Sequence, residues 1–230
     1  MSKVKIEGNA SGTGTLTISA PNTDTDRSIT LPDGAGEILT DASTLSSSNL
    51  SGALPAIDGS ALTGVGGLTD AQLWRLSTDR SHNDGEIIGI NSGEWEAYDD
   101  GNYGELGSSM SVSGTSSEST GGQFTFPSTG IWLVQFTGFC RIFTSEGYVG
   151  VRIQSTHNDG TDWDSATVAL SSPYYFGYYH QPIATFIFDC TNTSTHRIRF
   201  QAREGGGYVT YYGSTNDGQT TALFMKLGET

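Results

Sequence analysis

The first 73 residues of this 230-residue chain contain no phenylalanine, tryptophan or tyrosine. All 24 such residues fall between Trp74 and Phe224. Aromatic side chains bury large areas, so their placement decides where a core can form. The chain therefore divides into a leader with little to bury and a head that can build one core. Residues 68–230 are enough for a single domain of sandwich size. The expected organisation is a β attachment segment over 1–41, a Gly/Ser-rich linker or short stalk over 42–67, and a head over 68–230.

The head reads as all-β. Thirty-one glycines with abundant Ser and Thr point to many turns, and no window sustains a 3.6-residue apolar period. No stretch approaches the roughly 18 apolar residues of a membrane helix, so membrane insertion is not expected. MSKVKIEGNASG at the N-terminus lacks the apolar core of a signal peptide. The formal net charge is −14. Three basic and seven acidic side chains fall in 1–67, and eight and 18 in 68–230. Both parts repel a phosphate backbone, which argues against a nucleic-acid partner.

In the leader, GTGTLTI (12–18) alternates like a half-buried strand, RSITL (27–31) resembles a second, and LPDGAG (31–36) is a turn because Pro fixes φ and Gly admits positive φ. So few apolar side chains are marginal alone and need a partner protein or equivalent leaders from other subunits. Over 45–67, NLSGALP is echoed twelve residues later by ALTGVGG. A flexible linker and a short intertwined three-chain stalk both fit. Regularly spaced Leu54, Ile57, Leu62 and Val65 favour the stalk.

In the head, LTDAQLWRLS (68–77) suggests a helical turn capped at Thr69. Strands are expected at 110–113, 124–126, 131–141, 147–155, 183–190, 196–203 and 220–227, with turns at PSTG (127–130) and NDG (158–160). In IWLVQFTGFCR the set Trp132, Val134, Phe136, Gly138, Cys140 suits a core. Period-two strands without a long helix make a β-sandwich. Ile131, Leu133, Phe139, Ile183, Ile187, Leu223 and Met225 are left over on second faces that should be polar. That surplus argues for an oligomer.

The run GGQFTFPSTGIWLVQFTGF (121–139) resembles the strand–turn–strand signature of the C1q/TNF-like jelly roll, and TTALFMKLG (220–228) resembles its closing strand. The leader and the NLSGALPAIDGSALTG that follows resemble N-terminal and shaft segments of bacteriophage tail fibres and other virion appendages, marine ones especially. The resemblance implies a homotrimeric C1q/TNF-like jelly-roll head on a virion fibre, held to another virion protein through residues 1–41.

Binding candidates come from two tyrosine clusters. SSPYYFGYYHQ carries Tyr174, Tyr175, Tyr178, Tyr179 and His180; GGGYVTYYGS carries Tyr208, Tyr211 and Tyr212. Tyrosine covers the C–H face of a sugar and offers a hydroxyl. Adjacent strand residues point to opposite faces, so at most half of each cluster shares a surface. Packing at sandwich corners and subunit seams is the alternative use. Trp74 and Trp95 read as packing residues. Arg197, Arg199 and Arg203 share one strand face and would pair with acids across a seam or contact an anionic polysaccharide; Leu223 and Met225 join them as interface candidates. Asp159, Asp162 and Asp164 in HNDGTDWDS are the weak candidates for Ca²⁺, against the plainer reading of a polar turn, because the spacing is not that of an EF-hand. EWEAYDD (94–100) reads as a solvated loop.

Cys140 and Cys190 read as buried free thiols, with a disulfide between neighbouring strands as the alternative if their Cα atoms come within about 6 Å. His82, His157, His180 and His196 lack metal-ligand spacing, and no nucleophile elbow or phosphate loop is present. No cofactor and no catalysis are expected. The leading functional reading is a virion appendage whose trimeric head binds a host-surface glycan or protein. Its competitors are a purely structural head fibre, capsid decoration or tail connector, and a polysaccharide-degrading appendage enzyme.

Overall fold

The computed structural model describes residues 11–15, 17, 24–26, 68–98, 104–115, 117–118, 120–143, 147–172 and 177–230. The chain divides into two compact units, Met1–Gly59 and Ser60–Thr230. Most of 1–67 lies outside the described residues. Where the leader is described, 12–15 and 17 are exposed, while Leu16 and Ile18, on which the strand expected there rests, lie outside the described residues.

In the second unit, regular structure among the described residues is strand throughout, apart from one 3₁₀ turn at Ser92–Glu94. No helix there is long and apolar enough to cross a membrane. The strands are β1 Ala71–Leu76, β2 Arg80–His82, β3 Trp95–Ala97, β4 Glu105–Leu106, β5 Ser111–Ser113, β6 Gln123–Thr125, β7 Gly130–Thr137 and β8 Cys140–Ile142. They continue with β9 Val149–Thr156, β10 Asp164–Ser171, β11 Tyr179–His180, β12 Ile183–Cys190, β13 Arg197–Glu204, β14 Val209–Tyr211 and β15 Thr221–Gly228. One sheet has the order β12-β7-β15-β1-β3, with β4 also on β1; a second runs β10-β9-β13-β6-β5. A third, small sheet has the order β11-β8-β14-β2. All named pairs are antiparallel. The result is a jelly-roll sandwich.

The core is aromatic because the inward face of each strand alternates into it. β7 buries Trp132, Val134 and Phe136, and β13 buries Ile198, Phe200 and Ala202. Phe136 and Phe200 stack across the two sheets at 4.2 Å and 16°. Trp95 meets Phe124 at 5.3 Å and Phe200 at 5.8 Å, and its indole N–H donates to the Gly89 carbonyl. Each fully buried ring contributes about 1.5–3 kcal/mol of transfer free energy before edge-to-face terms.

Three expectations are corrected. Residues 71–76 form strand β1, not a helical turn, because Gln72, Trp74 and Leu76 alternate inward and β15 supplies a full ladder. The stretch from Glu94 is not a solvated loop: Glu94 and Trp95 are buried, and 95–97 make β3. The run 131–141 is broken into β7 and β8 at Gly138–Phe139. A Cβ on Gly138 would lie 2.6 Å from Val151 Cγ1 and 2.9 Å from the Tyr211 ring, so the close approach requires glycine.

Candidate functional site

Two surfaces differ from the rest of the head. The first is the outer face of the β12-β7-β15-β1-β3 sheet. Register places Ile187, Leu133, Met225, Ala71 and Leu106 in one row across five strands. The next row is Thr185, Gln135, Leu223 and Leu73. Ile183 is 51 % exposed, Ile187 60 % and Leu106 46 %. A shallow groove of about 260 Å³ runs between Leu68, Leu73, Leu106 and Leu223. Leu223 and Met225, expected at an interface, both lie on this face.

The second surface is the outer face of the small sheet. Residues 139, 141 and 143 alternate outward while Gly138, Cys140 and Ile142 are buried. Phe139 stacks on Tyr179 at 5.2 Å and 2°, and Tyr212 closes the trio at 5.8 and 5.4 Å. Phe143 stacks on Tyr208 at 5.3 Å and 20°. Arg141 stands between the two groups, 5.0 Å from the Phe143 ring centre and 5.7 Å from that of Tyr179. Gly177 leaves it room: its φ is +83, and a Cβ there would sit 3.1 Å from Arg141 Nη2. The Tyr212 phenol is raised above its ordinary value, first by burial and then by Tyr179, with Arg141 opposing.

This platform gathers Tyr179, Tyr208 and Tyr212 of the expected candidates. Tyr178 is exposed next to it. Tyr174 and Tyr175 lie outside the described residues. Tyr211 is corrected: it is fully buried, its hydroxyl donates to the Gly150 carbonyl, and burial pushes its phenol well up. His180 neighbours Tyr179 but turns the other way, its Nδ1 3.1 Å from the Ser171 hydroxyl, and partial burial lowers its pKa. Phe139 was expected on a second face as part of the oligomer surplus, not as a binding residue, and Arg141 and Phe143 were missed. The period-two pattern of FTGFCRIF contained them, had its second face been followed from Phe139 through Phe143.

The arginines of β13 do not need a seam. Arg197 pairs with Asp159 at 3.0 Å and donates to the carbonyls of Thr193, Ser194 and His196. Arg203 pairs with Asp84 at 2.9 Å. Arg199 is buried over the Trp163 ring at 4.0 Å, donating to Gln154 and the Glu118 carbonyl; burial lowers it to about 10. All three are thus already bonded within one chain. The weak Ca²⁺ candidates are not brought together. Asp159 is held by Arg197, Asp162 accepts from Asn158, Asp164 is an exposed strand end, and no metal-holding group of three occurs among the described residues. Cys140 and Cys190 are free and buried, their thiols pushed up to about 12 and about 11.

No family model and no curated protein matches this chain. Solved structures do. An Eiger TNF from S. frugiperda aligns over 71 % of this chain and 95 % of its own, at 10 % identity and a TM-score of 0.52. Murine APRIL at pH 8.5 aligns over 69 % and 98 %, at 12 % identity and a TM-score of 0.45. With the sheet orders above, the first likeness establishes the fold of the head as a TNF-like jelly roll.

Proposed function

We propose that this chain is the head-bearing subunit of a homotrimeric virion appendage, held to another virion protein through residues 1–41. In this reading the aromatic platform meets a host-surface glycan or protein. The observation that carries it is the apolar row Ile187–Leu133–Met225–Ala71–Leu106, exposed at both ends and half-buried between them. A contiguous aliphatic face of this breadth marks an interaction surface, and a second copy of the chain supplies the matching chemistry. The jelly-roll fold supports closure about a threefold axis, and the wording of the leader supports the virion setting. Self-association covers the aliphatic face and leaves the ring-lined platform for a ligand, where exposed tyrosines give rigid contact area at little entropic cost. The function assigned is binding, not catalysis.

A purely structural head draws on the burial of Tyr211, which removes one expected contact residue. Two measurements on the full-length protein decide. The native mass is expected at about three times the 24.4 kDa of one chain; a mass of one chain would remove the trimer. Adsorption to a panel of bacterial cells is expected to saturate, and to be lost in a Tyr179→Ala/Tyr212→Ala variant of unchanged mass. Undiminished adsorption by that variant would remove the platform from the function.

A further inference from the structure

The platform carries a charge as well as rings. Tyr179, Arg141, Thr210 and Ser81 form one row across four strands, about 14 Å long at the usual strand spacing. The Thr210 and Ser81 hydroxyls sit 2.8 Å apart at its end. Arg141 occupies the middle, half-buried between the two aromatic groups.

Its situation differs from that of the other described cations. Arg75, Arg80, Arg197, Arg203 and Lys226 each have a carboxylate within 3.0 Å. Arg152 and Arg199 donate to Gln201 and Gln154. Among the described residues Arg141 has no carboxylate partner. Its Nε–H is buried without an acceptor, and its polar neighbour on the platform is the Tyr212 hydroxyl. In a chain of net charge −14, acids to pair with it are plentiful. A guanidinium held between rings is poorly hydrated, so the gain on meeting a planar anion is large. Its planar fork matches a carboxylate through two parallel N–H···O bonds.

We propose that the platform binds a saccharide that bears a carboxylate, such as a hexuronic or sialic acid unit. The carboxylate lies on Arg141, a C–H face of the sugar lies on Tyr179 and Phe139, and ring hydroxyls reach Thr210 and Ser81. This inference rests on the reading of the platform as the ligand surface, and it adds the class of ligand. A neutral saccharide would use the rings and leave the guanidinium without its anion.

The test is calorimetric titration of the full-length protein with oligogalacturonate, oligoglucuronate and sialyllactose, each beside its carboxyl methyl ester. The expected result is binding of at least one acid, weakened about tenfold or more by esterification and by Arg141→Met. Arg141→Lys should recover part of the loss, and added salt should weaken the acid only. Native mass and circular dichroism confirm that each variant keeps its assembly and fold. An acid that binds no better than its ester, or equally well to Arg141→Met, overturns the inference. So does a panel that gives no binding while cell adsorption still depends on Tyr179 and Tyr212; that result leaves the platform reading standing. Adsorption indifferent to those tyrosines, with no saccharide bound, overturns both.

Discussion

Tyr211 and Tyr212 are adjacent, chemically identical and opposite in use. The strand pleat sends Tyr211 into the core and Tyr212 onto the platform. Tyr211→Phe deletes the hydroxyl that serves the Gly150 carbonyl and should cost about 1–2 kcal/mol in urea unfolding. Tyr211→Ala should cost about 3–5 kcal/mol, whereas Tyr212→Ala should leave stability nearly unchanged and act on adsorption. His82 argues similarly for pH. It is buried with an unpartnered Nε2, and burial lowers its pKa below 6.5, against the pull of Glu86 and Glu94. A depressed histidine stabilises the fold above its unfolded value and ceases to as pH falls through the folded one. His180 and His196 are shifted in the same direction, also by burial first. Thermal midpoints should therefore fall as pH drops below 6.5, ahead of the carboxylate range, and His82→Phe should make that fall shallower.

At the scale of elements, period two in the sequence located most long strands because one face of each is core. Trp132, Val134 and Phe136 announce β7 this way, and Ile198, Phe200 and Ala202 announce β13. β10 was not legible: Asp164–Ser171 is a sheet edge whose residues are at least partly exposed throughout, so no burial pattern marks it. β1 was misread because TDAQLWRL has good helix formers, and only pairing with β15 and β3 selects the strand. The candidate site was half legible. Tyrosine richness pointed to Tyr179, Tyr208 and Tyr212, but the role of Arg141 depends on which strands flank β8, and non-local pairing is not written in local pattern. The β7–β8 break makes this testable. Gly138→Val places a branched side chain where Val151 and Tyr211 already stand and should destabilise by about 1–3 kcal/mol or more in denaturant titration. A substitution at exposed Gly93, where a Cβ meets nothing within 4 Å, should be tolerated.

The two larger sheets of the head have unlike outer faces. On β13, Arg197, Arg199, Gln201 and Arg203 are matched by Asp159, Gln154, the Gly85 carbonyl and Asp84 of the same chain, so that face is complete in one copy. On β7 and β15, Leu133, Leu223 and Met225 stay half-buried, and among the described residues no polar partner completes that face. Burying apolar surface gives about 25 cal/mol per Å², so in the proposed trimer closure of a face of this width contributes several kcal/mol. Two consequences follow for the proposed trimer. Its thermal midpoint should rise with protein concentration, because association draws on the folded state by mass action. A Leu133→Glu/Met225→Glu variant should run as a single chain in native mass measurement. Its strand signature in circular dichroism should persist, since both side chains point away from the core. The charged pair would sit directly opposite in register, so each glutamate alone should act in the same direction but less completely. A variant that keeps the parent mass would place the contact between copies on another surface.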